Sequence, residues 1–252
     1  MRLKNKVAIV TGGAAGIGRA IAHRYAREGA LVTIADLNRG VGEANAEEIQ
    51  KSGAQAMFVE TDVSSEEQVK AMVEETIARF GRVDILVNNA AVLMTQGEAR
   101  AHELSNEVWE HTINVNLRGY WLCSKHVIPS MLHNGGGCII LVASRTGLQG
   151  FTRLTAYSAS KGGVLGLMRA MAVDYAPDRI RVNAIVPGTT DTPMNAEALS
   201  APGVREERAG RIPAGRLGLP GDISGMAVFL ASEDAEYCLG GVYMVDGGAT
   251  LT

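Results

Sequence analysis

Tyr157 and Lys161 stand four residues apart in the run Tyr157-Ser158-Ala159-Ser160-Lys161. On a helix that spacing puts a phenol and an ammonium on one face, so that both can enter one cleft. A free tyrosine, with a pKa of about 10, is a poor base at neutral pH. An ammonium beside it favours the phenolate and draws it toward the range where proton transfer is efficient. The same pair on a solvated helix face would have no chemistry, so the spacing gains meaning only from what surrounds it.

A second constellation lies near the amino terminus. Thr11-Gly12-Gly13-Ala14-Ala15-Gly16-Ile17-Gly18 follows a short apolar run and opens a helical pattern. Glycines there let the backbone pass close to a pyrophosphate, and a helix N-terminus offers free N–H groups to it. Asp36 follows at the distance the dinucleotide fingerprint requires, at the end of the next apolar run. A carboxylate at that place accepts hydrogen bonds from ribose hydroxyls and repels a 2′-phosphate, which points to NAD over NADP. Arg39 is nearby, and its expected place is the solvent face at the start of the next helix.

The elements that must hold these residues alternate in type. Short apolar or β-branched runs at 7–10, 31–34, 56–59, 83–87, 138–142, 180–185 and 242–245 read as strands. Several are almost wholly apolar, as expected of strands covered on both faces. Amphipathic stretches separate them: in 66–80, Val69, Met72, Val73, Ile77 and Phe80 share one face. Long helices are expected over 106–132 and 157–175. The pattern predicts an α/β fold, a doubly wound parallel seven-stranded sheet with helices on both faces, formed by one domain over 1–252. Residues 189–213 lack clear periodicity and read as an insertion, with a short helix at 195–199 and breaks at Pro202, Gly203 and Pro213.

Composition narrows the function classes. A net charge of −3 with no basic block argues against nucleic acid or an anionic membrane as partner. No signal-peptide pattern or apolar span of membrane length is visible, so a cytoplasmic location is expected. The three cysteines show no CxxC spacing and the five histidines no ligand spacing, so no metal is expected.

With these motifs in order, the chain resembles the short-chain dehydrogenase/reductase family over essentially its full length. The family pattern TGxxxGxG is met from Thr11 to Gly18, and Asp62-Val63 matches the pair that contacts adenine. Asn88-Asn89-Ala90-Ala91 matches NNAG except that Ala91 replaces glycine, and alanine is small enough to imply only a slight shift of the backbone there. Ser144, thirteen residues before Tyr157, fits the catalytic serine, with Ala143 where many members have another serine. Asn116 fits the relay asparagine, the run from Arg181 to Gly188 with Thr192 fits the segment beside the nicotinamide, and Val245-Asp246-Gly247-Gly248 fits the C-terminal signature.

The resemblance implies a Rossmann fold and an NAD-dependent enzyme that moves a hydride between the nicotinamide and a secondary alcohol or ketone. It implies Tyr157 as general acid/base, Ser144 polarising the substrate oxygen, Lys161 holding the nicotinamide ribose and lowering the Tyr157 pKa, and Asn116 carrying a water-linked proton path from Lys161. It implies cofactor contacts from Gly12, Ala15, Gly16, Ile17, Gly18, Asp36, Leu37, Asp62, Val63, Asn89, Ala90, Ala91, Tyr157, Lys161, Pro187, Gly188, Thr190 and Thr192. A homotetramer is the expected assembly, with the two long helices forming one interface and the last strand another. A non-catalytic NAD sensor on the same fold would predict a broken Ser-Tyr-Lys set, and here the set is whole. Relatives that act on nucleotide sugars have a different glycine spacing and a long C-terminal domain.

The substrate pocket is expected around Leu93, around Arg145, Thr146 and Arg153, and under 189–213, placed to order as a lid. The arginines either reach this pocket, suiting a sugar, polyol or hydroxy acid, or face solvent or a neighbouring subunit. A β-ketoacyl thioester or steroid-like ketone is the alternative substrate.

Overall fold

In the computed structural model of the chain, residues 1–251 are described. Seven strands form one parallel sheet: β1 (Val7–Thr11), β2 (Leu31–Asp36), β3 (Ala56–Glu60), β4 (Ile85–Asn88), β5 (Gly137–Val142), β6 (Ile180–Pro187) and β7 (Val242–Val245), in the order β3-β2-β1-β4-β5-β6-β7. The strand period of two sorts the side chains onto two faces. Ile9, Leu86, Ile139 and Leu141 pack with α3 (Glu66–Phe80), α5 (Gly119–His133) and α6 (Thr155–Tyr175). Ala8, Val10, Cys138 and Ile140 pack with α1 (Gly16–Arg27), α2 (Arg39–Lys51) and α8 (Pro220–Ala231). Both faces are covered, and β1 is buried along its whole length. The expected doubly wound sheet is therefore the observed one.

Helix ends follow local chemistry. Ser65 and Asn38 accept backbone N–H bonds at the starts of α3 and α2, and Gly81 closes α3 with φ of 87°. β1 pairs with both β2 and β4, so the chain reverses its order of strand addition between β1 and β4. The loops after these two strands part at their carboxyl ends, and a crevice opens there.

Most strand and helix ends fall within two residues of expectation, and three differences have a visible cause or change the element itself. β4 begins at Ile85, not Val83, because the Val83 N–H goes to Ser130 Oγ at 3.1 Å and the Asp84 carboxylate turns back to the Val7 N–H at 2.9 Å. The single helix expected over 106–132 is α4 (Asn106–Ile113), a π turn at Asn114–Arg118, and α5. In that turn the Gly119 N–H reaches back to the Asn114 carbonyl, which adds one residue and rotates α5 relative to α4. Within 189–213 the short helix expected at 195–199 is replaced by 3-10 turns at Pro193–Asn195 and Glu197–Leu199, followed by α7 (Val204–Gly210). Leu199 and Ile212 are buried and fasten the segment at two points.

Candidate active site

Thr11 joins the two loops of the crevice. Its hydroxyl accepts from the Asn89 and Ala90 N–H groups at 3.0 and 3.1 Å, and the Asn89 amide donates to the Thr11 and Gly12 carbonyls at 3.0 Å. The backbones come so close that a Cβ on Gly12 would lie 2.8 Å from Ala90 Cα, and one on Gly18 would lie 2.0 Å from the Gly12 carbonyl oxygen. Glycine is required at both positions. Ala15 caps α1 with an extended backbone and no side-chain bond, which leaves first-turn N–H groups of Gly16, Ile17 and Gly18 open to a ligand.

Asp36 ends β2 beside this loop, and its carboxylate accepts from the Ala14 and Asn38 N–H groups at 3.0 Å each. A carboxylate has about four acceptor positions, so capacity remains for two hydroxyls. Leu37 next to it is exposed, Val63 is buried against Gly119, and Asp62 holds the Ser64 N–H and hydroxyl. These residues fit an adenosine group lying over the ends of β2 and β3. The Arg39 guanidinium is bonded to Glu60 and Glu43.

Tyr157 and Lys161 lie on α6, both buried. The Lys161 ammonium donates to the Val142 carbonyl at 2.9 Å and to the Tyr120 hydroxyl at 3.2 Å, and stands 5.8 Å from the Tyr157 ring centre. Burial, and not Lys161, dominates the Tyr157 phenol in this arrangement. Burial pushes the phenol up to about 12, with the Ser144 hydroxyl pulling the other way, and burial alone brings Lys161 down to about 7. Loss of water outweighs the attraction of an ammonium whose bonds go elsewhere.

Asn116, inside the π turn, is fully buried. Its amide accepts from the Val92 N–H at 2.8 Å and donates to the Val92 carbonyl and to Ser160 Oγ at 2.9 and 3.3 Å. Its side chain thus ties the loop after β4 to α6 and makes no bond to Lys161.

One cleft brings together Ile17, Asn89, Ala91, Leu93, Ser144, Arg145, Tyr157, Lys161, Pro187, Gly188, Thr190 and Thr192. Gly188 reaches it because the backbone packs on Asp246, where a Cβ would be 2.7 Å from Asp246 Cα. A larger cavity of about 950 Å³ opens at the other end of the strands, among Arg82, Arg179 and Glu233, and holds none of these groups. Two expected substrate residues do not enter the cleft. Arg153 is exposed, in a left-handed turn with φ of 53°, and Thr146 turns its hydroxyl into the protein. Arg145 lines the cleft, but its guanidinium is held by the Ala249 carbonyl and Thr189 Oγ1 at 3.2 and 3.3 Å.

Sequence reasoning missed Tyr120, Met194, Asn195, Arg208 and Glu98. Met194, Asn195 and Arg208 enter the cleft from residues 189–213. Glu98 is buried, and its two oxygens accept from the Tyr157 and Ala156 N–H groups at 2.6 and 3.1 Å. It caps α6 from a loop, since Leu154 at the N-cap has no side-chain bond to give. Glu98→Ala is expected to lower stability by about 1–3 kcal/mol, because two buried N–H groups lose their acceptor. Glu98→Gln, which keeps one acceptor, is expected to lose less. Urea unfolding of both variants measures this, and two unchanged midpoints would show that the cap carries nothing.

A family profile described as "Enoyl-(Acyl carrier protein) reductase" matches residues 12–250. Among curated relatives, the cis-4-hydroxycyclohexanecarboxylate dehydrogenase of Sinomonas cyclohexanicum is 41% identical, with 97% of this chain and 96% of that one covered. The 3-oxoacyl-[acyl-carrier-protein] reductase of Thermotoga maritima is 36% identical over 100% of both chains. A solved structure from Beutenbergia cavernae, assigned to NAD(P)-dependent gluconate 5-dehydrogenase and holding NADP at low occupancy, superposes with a TM-score of 0.93 at 41% identity, covering 99% of this chain and 98% of that one.

Proposed function

Because the chain belongs to the short-chain dehydrogenase/reductase family, we propose that it interconverts a secondary alcohol and its ketone, using NAD(H), with Tyr157 as the group that exchanges the proton. The carrying observation is the meeting of Ser144, Tyr157 and Lys161 in one cleft that adjoins the glycine loop. The nicotinamide, when bound, supplies the hydride chemistry. The loop from Gly12 to Gly18 and the α1 N-terminus hold the pyrophosphate, Asp36 holds the adenosine ribose, and Asn89, Pro187, Gly188, Thr190 and Thr192 enclose the nicotinamide end.

In oxidation Tyr157, in its phenolate form, takes the proton of the substrate hydroxyl and becomes the phenol. Ser144 hydrogen-bonds the same oxygen and fixes it near the phenol. Asn116 keeps the loop after β4 in register with α6. Residues 189–213 form the substrate loop, since six of them, from Thr189 to Arg208, line the cleft. A homotetramer accounts for Trp109, Trp121 and Val173, which stay exposed on α4, α5 and α6. A panel of sugar alcohols, hydroxy acids and cyclic alcohols with NAD, read by NADH absorbance, tests the reading. No turnover of any member would remove it.

Asp36 and the engagement of Arg39 by Glu60 and Glu43 support NAD over NADP. The ratio of kcat/KM with NAD to that with NADP is expected to exceed one, and to fall by about 10–100-fold in Asp36→Ala, the effect of losing charge-assisted hydrogen bonds. Steady-state rates with both cofactors measure it. Equal use of NADP by the unaltered enzyme, as its presence in the Beutenbergia relative allows, would remove the preference.

A further inference from the structure

We propose that Arg208 is the anchor for an anionic group on the substrate, so that the alcohol this enzyme oxidises carries a carboxylate; this rests on the hydride-transfer reading of the cleft. Arg208 lies on α7 and lines the cleft with Ser144, Tyr157, Met194 and Asn195. Val204 and Arg208, one helical turn apart, form the half-buried face of this short helix. Every other arginine of the neighbourhood is paired. Arg205 meets Asp191 with two bonds at 2.7 and 3.0 Å, Arg211 meets Glu207 at 2.6 Å, and Arg216 meets Asp222 at 2.6 and 2.9 Å. Among the described residues, the Arg208 side chain forms no ion pair and no hydrogen bond, and no Asp or Glu lines the cleft.

A half-buried guanidinium has given up part of its hydration without gaining a partner, which is unfavourable until an anion arrives. Its planar fork suits a carboxylate, two parallel N–H bonds to two oxygens. The other cations of the cleft are occupied. Arg145 is held by the Ala249 carbonyl and Thr189, and Lys161 by the Val142 carbonyl and Tyr120. A bound cofactor would bring a second anion, its pyrophosphate, and the α1 N-terminus offers its own N–H groups to that one. Arg208 reaches the cleft from the segment that follows the cofactor motifs, and lines it together with Ser144 and Tyr157.

The matched probes are cis-4-hydroxycyclohexanecarboxylate and its carboxamide, alike in shape and different in charge. The unaltered enzyme is expected to show a kcat/KM about 10²-fold higher for the acid, the size of a desolvated ion pair. In Arg208→Met that ratio is expected to fall close to one, and Arg208→Lys is expected to keep part of it. A binding measurement runs independently of turnover: cyclohexanecarboxylate is titrated calorimetrically into the enzyme–NADH complex beside cyclohexanecarboxamide. Tighter binding of the acid, lost in Arg208→Met with the melting temperature retained, supports the anchor even if neither alcohol is turned over, in which case only the hydride-transfer reading is in trouble. Equal binding of acid and amide by the unaltered enzyme overturns the anchor whatever the turnover. A tenfold weaker Kd for NADH in Arg208→Met, with the acid-to-amide ratio intact, overturns it in favour of the pyrophosphate.

Discussion

Tyr157→Phe is expected to lower kcat by about 10²–10⁴-fold, the usual contribution of a positioned acid or base, while the Kd for NADH stays within a few-fold. The substitution removes one oxygen from a ring that is only 9% exposed and changes no packing surface. The Tyr157 backbone N–H keeps its bond to Glu98, so α6 retains its cap, and Lys161 keeps both of its own partners. No other phenol can take over. Tyr120 is fully buried behind Lys161, and its hydroxyl already donates to the Val142 carbonyl at 3.1 Å. Turnover from stopped-flow or steady-state rates, with NADH binding from fluorescence titration, separates chemistry from binding. A Phe variant within a few-fold of the unaltered enzyme would show that the proton goes elsewhere.

The residues that were legible in the sequence are those whose role comes from local pattern. The glycine loop is read from its place between a strand and a helix, Asp36 from its distance to that loop, and Tyr157 with Lys161 from helical spacing. The strands are read from apolar runs, and their pairing order follows from βαβ units that are compelled to cross over in one hand. The features that were not legible depend on where the chain returns from far away. Glu98 caps α6 across 59 residues, from a loop with no periodicity. Lys161 is held by Tyr120, 41 residues earlier, on the helix that follows a π turn that no spacing announces. Arg145 and Arg153 lie between Ser144 and Tyr157, but Arg153 is exposed outside the cleft, and the Arg145 guanidinium, which lines it, is bonded to the Ala249 carbonyl and Thr189. Arg208 had one local signal, its four-residue spacing from Val204, which Pro202, Gly203 and Pro213 obscured by breaking the helical pattern on both sides.

Lys161→Met should alter the pH dependence as well as the rate, and the sign is set by the burial of the pair. Removing one proton from Tyr157 and Lys161 together yields either phenolate with ammonium or phenol with amine, and one macroscopic step counts both. With the phenol pushed up to about 12 and the ammonium brought down to about 7, that first proton leaves near pH 7. Oxidation needs the pair short of one proton, so log kcat/KM for the alcohol climbs through about pH 7 to a plateau. Ketone reduction needs the full complement and falls over the same window. Without Lys161 the group brought down to about 7 is gone, the phenol pushed up to about 12 is the one left to titrate, and the oxidation limb moves up toward 12. Stability responds in the same range. Lys161 has a folded value below its ordinary 10.5, so between about 7 and 10.5 the unfolded chain binds more protons than the folded one, and stability rises with pH there. Below pH 7 the buried ammonium imposes its full cost. The stability of the unaltered enzyme relative to Lys161→Met is therefore expected to be lowest below pH 7 and to increase toward pH 10.5, as read by urea unfolding at pH 6, 8 and 9.5. A stability difference that is flat across these three values, together with an oxidation limb that stays near 7 in Lys161→Met, would mean that Lys161 is not the group that titrates.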